Sequence, residues 1–508
     1  MSLSGDPSGA PDPCGAKEWL GKLISFDTTS SKTNVPFIQY VAAYARAALR
    51  APAGAPADCG ARVLVEWGPQ QAGVSYANLV ISIPAFPPLS ATASGDSNST
   101  GKHPVKNGEE DGAPASAAAP PTSAAAAGCR GPVFDGGYAL SGHSDVVPVD
   151  GQQWDTDPFT MVEKDGRLYG RGACDMKAFL AVMLCLVPEW AEAMAARRLR
   201  RPLHLVFSYS EETDMAGCRQ LVGEGSESWR RLRRCEGVVI GEPTNMELVV
   251  AHKGIHENHI TCRGTAAHSS LQPHSFNAIA PAARVLTALF ALRDRFVATG
   301  PYDSQFAVPY TTLCPGALTG GQALNTTPDR CCFAYQIRNI PTHSAAAIER
   351  EIAAVVAREN AAVQDEVERM NRSSSNGTDN SNSGAGNSSA SPSPTAGGGG
   401  GAPAVAASVE HGECLSAPHF LGDAAAAVVT ALQRAAQADD GGDGPTGASL
   451  QKVSFYTEAG YFQQSGLNTV VCGPGDIAQA HRANEFVTVS QLEKAVRVIR
   501  ATVEELCF

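Results

Sequence analysis

The sequence predicts an α/β protein built on a mostly parallel β-sheet, with a smaller α+β domain inserted into it. Three observations support this fold class. Short apolar segments that end in polar residues alternate with helical segments, as in a parallel sheet covered on both faces. An internal block, residues 254–418, has the order strand, helix, strand, helix. The length of 508 residues exceeds one ordinary compact core, which favours two domains.

Five segments of the first domain are predicted strands because they are short, apolar and bounded by turn residues. They cover residues 138–149, 203–210, 237–241, 453–457 and 469–472. A helix is predicted from Met176 to about Ala196, with Asp175 at its N-cap, because a short acidic side chain there can accept a hydrogen bond from a free backbone N–H. Strands separated by helices imply a largely parallel sheet.

The internal block from residue 254 to residue 418 is predicted to be a separate α+β domain. It contains a half-exposed strand at 255–262, a helix at 277–296, a strand at 333–337 and a second helix at 345–363. We therefore expect a first domain formed by residues 1–253 and 419–508, interrupted by a second domain formed by residues 254–418.

Two stretches lack the apolar residues of a folded core. Residues 84–132 are rich in Ala, Ser, Gly and Pro, and residues 371–403 consist almost entirely of Ser, Asn, Gly, Ala and Pro. Such sequences cannot bury enough apolar surface to offset the entropy lost on ordering, so both are predicted to be disordered surface insertions. Residues 439–447 are expected to form a loop.

The composition argues against a nucleic-acid or membrane partner. The chain has 39 basic and 51 acidic residues, a formal charge of −12, and no long Lys/Arg run that would bind phosphate backbones. Its 14 cysteines form no CxxC pair and no disulfide framework, so we expect reduced thiols. Because no signal peptide and no apolar run of about 20 residues is apparent, we expect a cytoplasmic protein.

Five side chains that suit a divalent metal ion occur in distinctive phrases along the chain. His143 lies in SGHSDVVPVD, Asp175 in YGRGACDMK, Glu212 in FSYSEET, Glu242 in IGEPT and His481 in GPGDIAQAHRANE. His and carboxylate groups bind zinc, and one carboxylate between two ions holds them close enough to share a reacting water. A single His or acid in a loop is usually plain polar surface. Four of these five, however, follow a predicted strand or the turn after it, where open α/β sheets place ligands. The set predicts a two-metal hydrolytic site.

Two further acids are expected to complete this site. Asp145 follows His143 by two residues near a strand end, so both side chains point to the same face, where Asp145 can orient the His ring or support the ion. Glu211 and Glu212 would repel each other at the end of a buried strand, and two ions would relieve this repulsion. One of the pair can bind metal while the other acts as general base and later as proton donor. The residues alone leave open which does which.

Together these phrases resemble the M20 family of co-catalytic zinc peptidases and deacylases, over nearly the whole chain apart from the two insertions. Within the family, the segments AHKG at 251–254 and YTEAGYF at 456–462 resemble the acetylornithine deacetylases in particular. The resemblance implies a catalytic domain that binds two zinc ions, with Co²⁺ as an alternative metal, and an inserted lid domain that dimerises.

The family's motifs also imply a role for each ligand. By this resemblance, one zinc would be bound by His143 and Glu242, the second by Glu212 and His481, and both by Asp175. Glu211 would be the general base, and Asp145 the partner of His143 behind the metal.

The inserted block resembles the family's lid in three places. GTAAHSS contains His268, whose counterpart polarises the scissile carbonyl, often from the partner subunit; the LQPHS that follows replaces the family's usual glycine-containing turn. GGQALN ends at Asn325 and QIR ends at Arg338, both in segments that meet substrate. Arg338 would bind a carboxylate through two parallel hydrogen bonds. Glu458, in YTEAGYF, is expected to face an amino group of the substrate.

These resemblances imply a homodimeric enzyme that hydrolyses the amide bond of a small N-acyl amino acid. N-acetylornithine is the first candidate, which implies a role in arginine biosynthesis. A glutamate-type carboxypeptidase, a succinyl-diaminopimelate desuccinylase and a dipeptidase are alternatives with the same motifs. An inactive metal-binding interaction protein is the alternative from another class, although no ligand and no base is missing from the sequence.

Overall fold

The computed structural model describes residues 15–51, 55–70, 72–86, 131–376, 404–441 and 449–508. The helices in these ranges are α1 (Ala16–Ile24), α2 (Val35–Ala48), α3 (Lys177–Ala195), α4 (Ala216–Leu221), α5 (Glu227–Leu232), α6 (Ile279–Thr299), α7 (Ala345–Asn376), α8 (Ala427–Asp439), α9 (Ala459–Gln464) and α10 (Val489–Cys507). The strands are β1 (Arg62–Trp67), β2 (Ala77–Ile83), β3 (Tyr138–His143), β4 (Val162–Lys164), β5 (Arg167–Tyr169), β6 (Leu203–Ser208), β7 (Gly237–Ile240), β8 (Leu248–His252), β9 (Ile255–Arg263), β10 (Thr312–Gly320), β11 (Arg330–Arg338), β12 (Ser408–Ala417), β13 (Phe420–Leu421), β14 (Leu450–Val453), β15 (Thr469–Val471) and β16 (Phe486–Thr488).

A nine-stranded mixed sheet forms the centre of the molecule. Its strand order is β1-β2-β6-β3-β7-β15-β8-β13, with β14 paired to β8. The four central strands β6, β3, β7 and β15 are parallel to their neighbours within this group, whereas β1, β2 and β13 pair antiparallel towards the edges. The predicted α/β class is confirmed: the structure has a largely parallel sheet and a separate antiparallel sheet.

Helices cover both faces of this sheet, and its apolar residues fill the two cores. Leu140 and Phe207 contact the core formed with α1, α2, α3, α8 and α10. Their chain neighbours Ala139 and Val206 point to the opposite core, which contains residues of α4, α5 and α9. All six residues of β3 and of β6 are buried, which explains the continuous apolar runs that revealed these strands in the sequence.

Helix α3 is apolar along almost its whole length. By length and hydropathy it meets the criteria for a membrane span, but 67% of that window is buried in the core of the large sheet. Its first residue, Lys177, is also buried and donates a hydrogen bond from Nζ to the carbonyl of Phe26 over 2.8 Å. These contacts are those of the core helix of a globular domain.

A second sheet of four antiparallel strands comes from residues 255–417, in the order β10-β11-β9-β12. Helices α6 and α7 cover one of its faces. Phe333, Tyr335 and Ile337 of β11 are buried in the core that includes these helices, while the alternate residues Gln336 and Arg338 point to the other face. The predicted domain boundaries near residues 253 and 418 stay predictions. A small third sheet has the order β16-β5-β4.

Several predicted elements differ from the structure. The strand predicted at 138–149 ends at His143, as β3. Helix α3 begins at Lys177, with Met176 as N-cap and no side-chain cap, so the prediction of Asp175 as N-cap was wrong, because its carboxylate lies against two histidines instead. The strand expected at 453–457 is β14 at 450–453. Its pairing with β8 stops at Val453, and the chain turns so that the N–H of Thr457 reaches Nε2 of His252 at 3.2 Å.

Residues 84–86 and 131–132 of the first predicted insertion and residues 371–376 of the second are part of the described structure. Helix α7 continues to Asn376, and Asn371 within it bonds the backbone N–H and carbonyl of Val405 at 2.9 and 3.0 Å. The disorder predicted from residue 371 onward was therefore wrong for its first six residues. Ala85 pairs with Val133 across the other insertion. The remaining residues of both insertions, and residues 442–447 of the expected loop, lie outside the described residues.

Candidate metal centre and catalytic site

Four of the five predicted ligands follow the central parallel strands. His143 is the last residue of β3, Glu212 comes four residues after β6, Glu242 two residues after β7, and His481 lies in the loop after β15. Because these strands are parallel and adjacent, their carboxyl ends meet at one edge of the sheet. The glycine-containing loop before α3 brings Asp175, the fifth predicted ligand, to the same edge.

Asp175 lies between the two histidines. Its Oδ1 is 3.1 Å from Nε2 of His143, and its Oδ2 is 3.3 Å from Nε2 of His481. Each histidine has a second carboxylate neighbour: Glu242 Oε1 is 3.9 Å from His143 Nε2, and Glu212 Oε2 is 2.9 Å from His481 Nε2. The five side chains therefore form two groups of three that share Asp175.

These distances suit two metal sites with a common bridging carboxylate. Ligand atoms about 2.0–2.1 Å from one tetrahedral zinc ion are separated by roughly 3.3 Å, which is close to the separations found here. One ligand atom from each of His143, Asp175 and Glu212 lies within 4.8 Å of the others. The buried Oε1 atoms of Glu212 and Glu242 have no hydrogen-bond partner among the described residues. The donor set and the orphaned oxygens fit divalent cations.

The acids at this edge carry more negative charge than the two histidines offset. Burial, followed by the charge of Asp175, raises the pKa of Glu212 to about 7. Burial likewise raises the pKa of Glu242 well above its usual value. The two carboxylates beside His481, Asp175 and Glu212, raise the pKa of that imidazole to about 10. Cations bound among these groups would offset the repulsion between the acids and replace the protons.

Glu211 is the acid of the Glu-Glu pair that lies outside the two groups of three. It is buried, at 6% exposure, and no described histidine is its ion-pair partner, unlike Glu212. Burial is the main cause that raises the pKa of Glu211, and the charges of Glu242, Glu212 and Asp175 add to it. The geometry thus distinguishes the pair: Glu212 lies 2.9 Å from His481, and Glu211 lies outside the two groups of three.

Asp145 fixes the turn that carries the Glu-Glu pair. Its Oδ1 accepts the N–H of Glu211 at 3.1 Å, and its Oδ2 accepts the N–H of Glu212 at 3.2 Å and the hydroxyl of Ser30 at 2.8 Å. Nδ1 of His143 lies 2.9 Å from the backbone carbonyl of Asp145 and 3.8 Å from its carboxylate. The ring is thus oriented by the main chain of Asp145, while its carboxylate holds both glutamates in place.

Glu485 is a buried acid of this region for which no role was predicted from the sequence. Its carboxylate accepts the backbone N–H groups of Gly172, Cys174 and Asp175, and it forms an ion pair with Arg171 at 2.6 Å. The signal available in the sequence was its place four residues after His481, in the phrase HRANE. A second acid in a loop that already holds a ligand is a weak signal by itself.

Arg338, at the end of β11, faces the first domain. Its guanidinium lies 5.1 Å from the ring centre of Tyr456, and its Nε donates to Oε1 of Gln336 at 2.8 Å. Nη1 of Arg338 is buried without a partner among the described residues. After burial, the charges of Glu211 and Glu212 are the largest causes that raise the pKa of Tyr456. The ring of Tyr456 thus contacts the guanidinium, and its pKa responds to the charges of the Glu-Glu pair.

Two other predicted residues, His268 and Asn325, lie elsewhere, whereas Glu458 lies near the metal centre, where, besides burial, the charges of His143 and Asp145 affect its pKa. His268 is exposed, with Nδ1 2.8 Å from the hydroxyl of Ser270, and it pairs with Thr326. Asn325, in the facing loop, accepts the N–H of Ser269 at 2.9 Å. The contacts found for His268 and Asn325 among the described residues are within the second sheet's loops and do not reach the metal centre. Glu458 is fully buried, and burial raises its pKa to about 7.

Comparisons with known proteins agree with this geometry. The model of the family described as peptidase family M20/M25/M40 matches residues 139–505. An acetylornithine deacetylase of Myxococcus xanthus is 30% identical over 498 residues, covering 96% of each chain. One of Buchnera aphidicola subsp. Acyrthosiphon pisum (strain APS) is 26% identical over 374 residues, 74% of this chain and 82% of that protein.

Solved structures share the fold at lower identity. A tripeptidase of Staphylococcus aureus has a TM-score of 0.58 at 15% identity and covers 97% of each chain. Human carnosine dipeptidase 1 has a TM-score of 0.55 at 16% identity, covering 96% of this chain and 94% of that one.

Proposed function

The chain belongs to the metallohydrolases of peptidase family M20/M25/M40, and we propose that it hydrolyses the amide bond of N-acyl amino acids, with N-acetylornithine as its substrate. The observation that carries the reaction type is Asp175, which lies 3.1 and 3.3 Å from two histidines that each have a further carboxylate beside them. The relatives named acetylornithine deacetylase support the choice of substrate, the one from Myxococcus xanthus over 96% of both chains.

In this proposal two zinc ions occupy the two groups of three. His143, Asp175 and Glu242 would hold one, and Asp175, Glu212 and His481 the other. Bound there, zinc supplies a Lewis acid that lowers the pKa of a water molecule and polarises the acyl carbonyl. The surplus of buried acids over histidines supports a site that is complete only with cations.

Glu211 would move the proton. As a carboxylate it accepts a proton from the water that attacks the acyl carbon, and it returns that proton to the amine nitrogen as the C–N bond breaks. Asp145 holds its backbone N–H at 3.1 Å, which keeps the acid in place through both transfers. Acetate and ornithine leave as products, with water consumed.

Arg338 would bind the α-carboxylate of the substrate. Its Nε is already used by Gln336, but the buried Nη1 has no partner among the described residues. An unpaired buried guanidinium nitrogen is costly, and a substrate carboxylate would satisfy it. The contact of this guanidinium with the ring of Tyr456, a residue whose pKa responds to the charges of the Glu-Glu pair, supports this role.

A homodimer in the cytoplasm completes the proposal. His268 makes its contacts within its own loop, and Leu318 and Leu324 are exposed near that loop on the same sheet region. Large exposed apolar side chains favour contact with another surface. In a lid-to-lid dimer, His268 would reach the partner's site and donate a hydrogen bond to the oxyanion. A role in arginine biosynthesis follows from the substrate.

The test is amine release by zinc-loaded protein from a substrate panel. The panel contains N-acetylornithine, N-acetylnorvaline as a matched compound without the distal amine, N-succinyl-diaminopimelate, a C-terminal glutamyl peptide and a dipeptide. We expect kcat/KM to be highest for N-acetylornithine. Turnover of peptides but not of N-acetylornithine would show that the proposed substrate is wrong. The absence of any turnover with two zinc ions bound per chain would favour a non-catalytic metal-binding protein.

A further inference from the structure

One buried carboxylate connects the two loops that carry Asp175 and His481. Glu485 is 1% exposed and accepts four donors: Arg171 and Gly172 at Oε2, over 2.6 and 3.0 Å, and the N–H groups of Cys174 and Asp175 at Oε1, over 2.8 and 2.9 Å. The last of these donors belongs to the bridging residue itself. Glu485 itself lies four residues after His481, in the same loop.

Arg171 extends this connection to the backbone of His481. Its Nη2 donates to Oε1 of Gln152 at 2.5 Å, and Nε2 of Gln152 donates to the carbonyl of His481 at 2.9 Å. Its Nη1 also lies 3.3 Å from the carbonyl of Arg482. The loop before α3 and the loop after β15 are therefore joined by one ion pair and several hydrogen bonds that involve neither imidazole nor the carboxylate of Asp175.

The two groups of three depend on these contacts to different degrees. His143 ends β3 and Glu242 follows β7 closely, so the pairing of buried strands sets their positions. His481 lies in a loop with a φ of 61°, a left-handed backbone conformation that is uncommon for a residue other than glycine, and its side chain is 55% exposed. Such a residue keeps its place only if the surrounding structure fixes it.

We propose that Glu485 is a positioning residue of the metal centre. It sets the zinc affinity of the site formed by Asp175, Glu212 and His481, because it holds Asp175 and His481 at the positions that bind the ion. The inference rests on the proposed two-metal site. Glu485 does not contact the ion in this scheme; it acts through the backbone of Asp175 and through the segment that carries His481. Hydrogen-bonded groups behind a ligand typically contribute about 10- to 100-fold to metal affinity.

The substitution Glu485→Gln tests the proposal at nearly constant volume. Each of the two carboxylate oxygens of Glu485 accepts two donors. The amide of Gln must therefore turn its NH₂ group, which is itself a donor, towards backbone or guanidinium N–H groups. We expect the affinity for one zinc ion, that of the group with His481, to fall by about 10- to 100-fold, and the affinity for the other ion to change much less. Zinc per chain after equilibrium dialysis against a series of buffered zinc concentrations gives both constants without any activity measurement.

Gln152→Leu is the second variant, because loss of a buried ion-pair partner can unfold a region. It removes the link to the carbonyl of His481 and leaves the pair of Glu485 and Arg171 intact. Glu189→Gln is the matched control: Glu189 forms an exposed ion pair with Arg500 between α3 and α10, and it lies in neither loop. Thermal unfolding of the metal-free variants shows how far each substitution acts on the fold alone.

The outcomes separate this proposal from its premise. A selective loss of affinity at one of the two zinc sites in Glu485→Gln, with a smaller loss in Gln152→Leu and none in Glu189→Gln, supports it whatever the substrate proves to be. Unchanged zinc affinities in folded Glu485→Gln overturn it, as does an equal loss at both sites that matches a lower melting temperature. Wild-type protein that binds no zinc overturns both this proposal and the proposed two-metal site, whereas zinc binding without deacetylation overturns only the substrate.

Discussion

Replacing Glu211 by Gln removes a proton acceptor and keeps the size of the side chain. Positioned general bases contribute about 10²- to 10⁴-fold to rate, so we expect kcat on N-acetylornithine to fall by that factor, or about 3–5 kcal/mol of activation free energy. Zinc content should not change, because Glu211 lies outside the two groups of three. KM should also change little, since the substitution acts on the reacting proton and not on the carboxylate contact at Arg338.

Glu212→Gln is the matched control, because it is the same substitution one residue along the chain. Glu212 Oε2 lies 2.9 Å from Nε2 of His481, so this variant should lose zinc from the group it shares with that histidine. Activity should then recover in part as zinc is raised, whereas Glu211→Gln should stay inactive at every zinc concentration. The assay is kcat and KM at increasing free zinc, with zinc per chain measured on the same samples.

Two results would refute this reasoning. If Glu211→Gln, with two zinc ions per chain, keeps kcat within a factor of ten, another group moves the proton. If Glu211→Gln loses zinc and Glu212→Gln does not, Glu211 is the metal ligand and Glu212 the general base. The contact of Glu212 with His481 would then not mark two ligands of one zinc ion.

Three other perturbations have definite expected outcomes. Co-expressed His268→Ala and Glu211→Gln subunits, each inactive alone, should regain deacetylation, because a mixed dimer contains one site with both groups if His268 acts across the dimer. Burial lowers the pKa of His204 to about 4, so between pH 6.5 and 4 only the unfolded chain takes up this proton and stability is lost as the pH falls. From pH 7 to 4.5, wild type should therefore lose about 2–3 kcal/mol more unfolding free energy in urea than His204→Gln. Gly241→Ala should cost about 1–3 kcal/mol in the same assay, because the new Cβ would overlap the ring of Phe179.

Each of these outcomes has a control. Mixed subunits that both carry Glu211→Gln should remain inactive, and activity of His268→Ala alone would remove that residue from the reaction. Equal pH slopes for wild type and His204→Gln would mean that His204 titrates normally when folded. Gly316→Ala, where an added Cβ meets no atom within 4 Å, should have little effect, and equal losses at both glycines would contradict the steric argument.

The elements that could be predicted from the sequence are those with the strongest local pattern. Strands β3, β6 and β7 are buried on both faces, so their residues read as continuous apolar runs that end in polar ligands. The edge strand β1 carries a mixed pattern, since its six residues range from half-buried to exposed, and it was not predicted. The N-cap error at Asp175 has the same root, because a helix-start signal and a metal-ligand signal use the same side chain.

The residues of the site could be predicted from the sequence only where the side chain itself is of a metal-binding type. Metal ligands have a chemical signature, and the parallel strands place them at one edge. Glu485, Arg171 and Gln152 have no such signature: they bind one another and backbone groups, and two of those backbone groups lie 329 and 311 residues away along the chain. Contacts of that kind depend on how loops cross after folding, which periodicity and composition do not describe.

The metal centre therefore has two kinds of support, and they differ in what can disturb them. The positions of His143 and Glu242 follow from strands that are buried in the largest core, so disturbing them requires a change such as Gly241→Ala that damages the sheet itself. Asp175 and His481 are held by polar contacts between loops, whose strength depends on an intact set of acceptors on Glu485. Because Asp175 takes part in both groups of three, the loop contacts have some influence on the strand-held group as well. A graded loss, large at the group with His481 and small at the group with His143, is the signature of this arrangement.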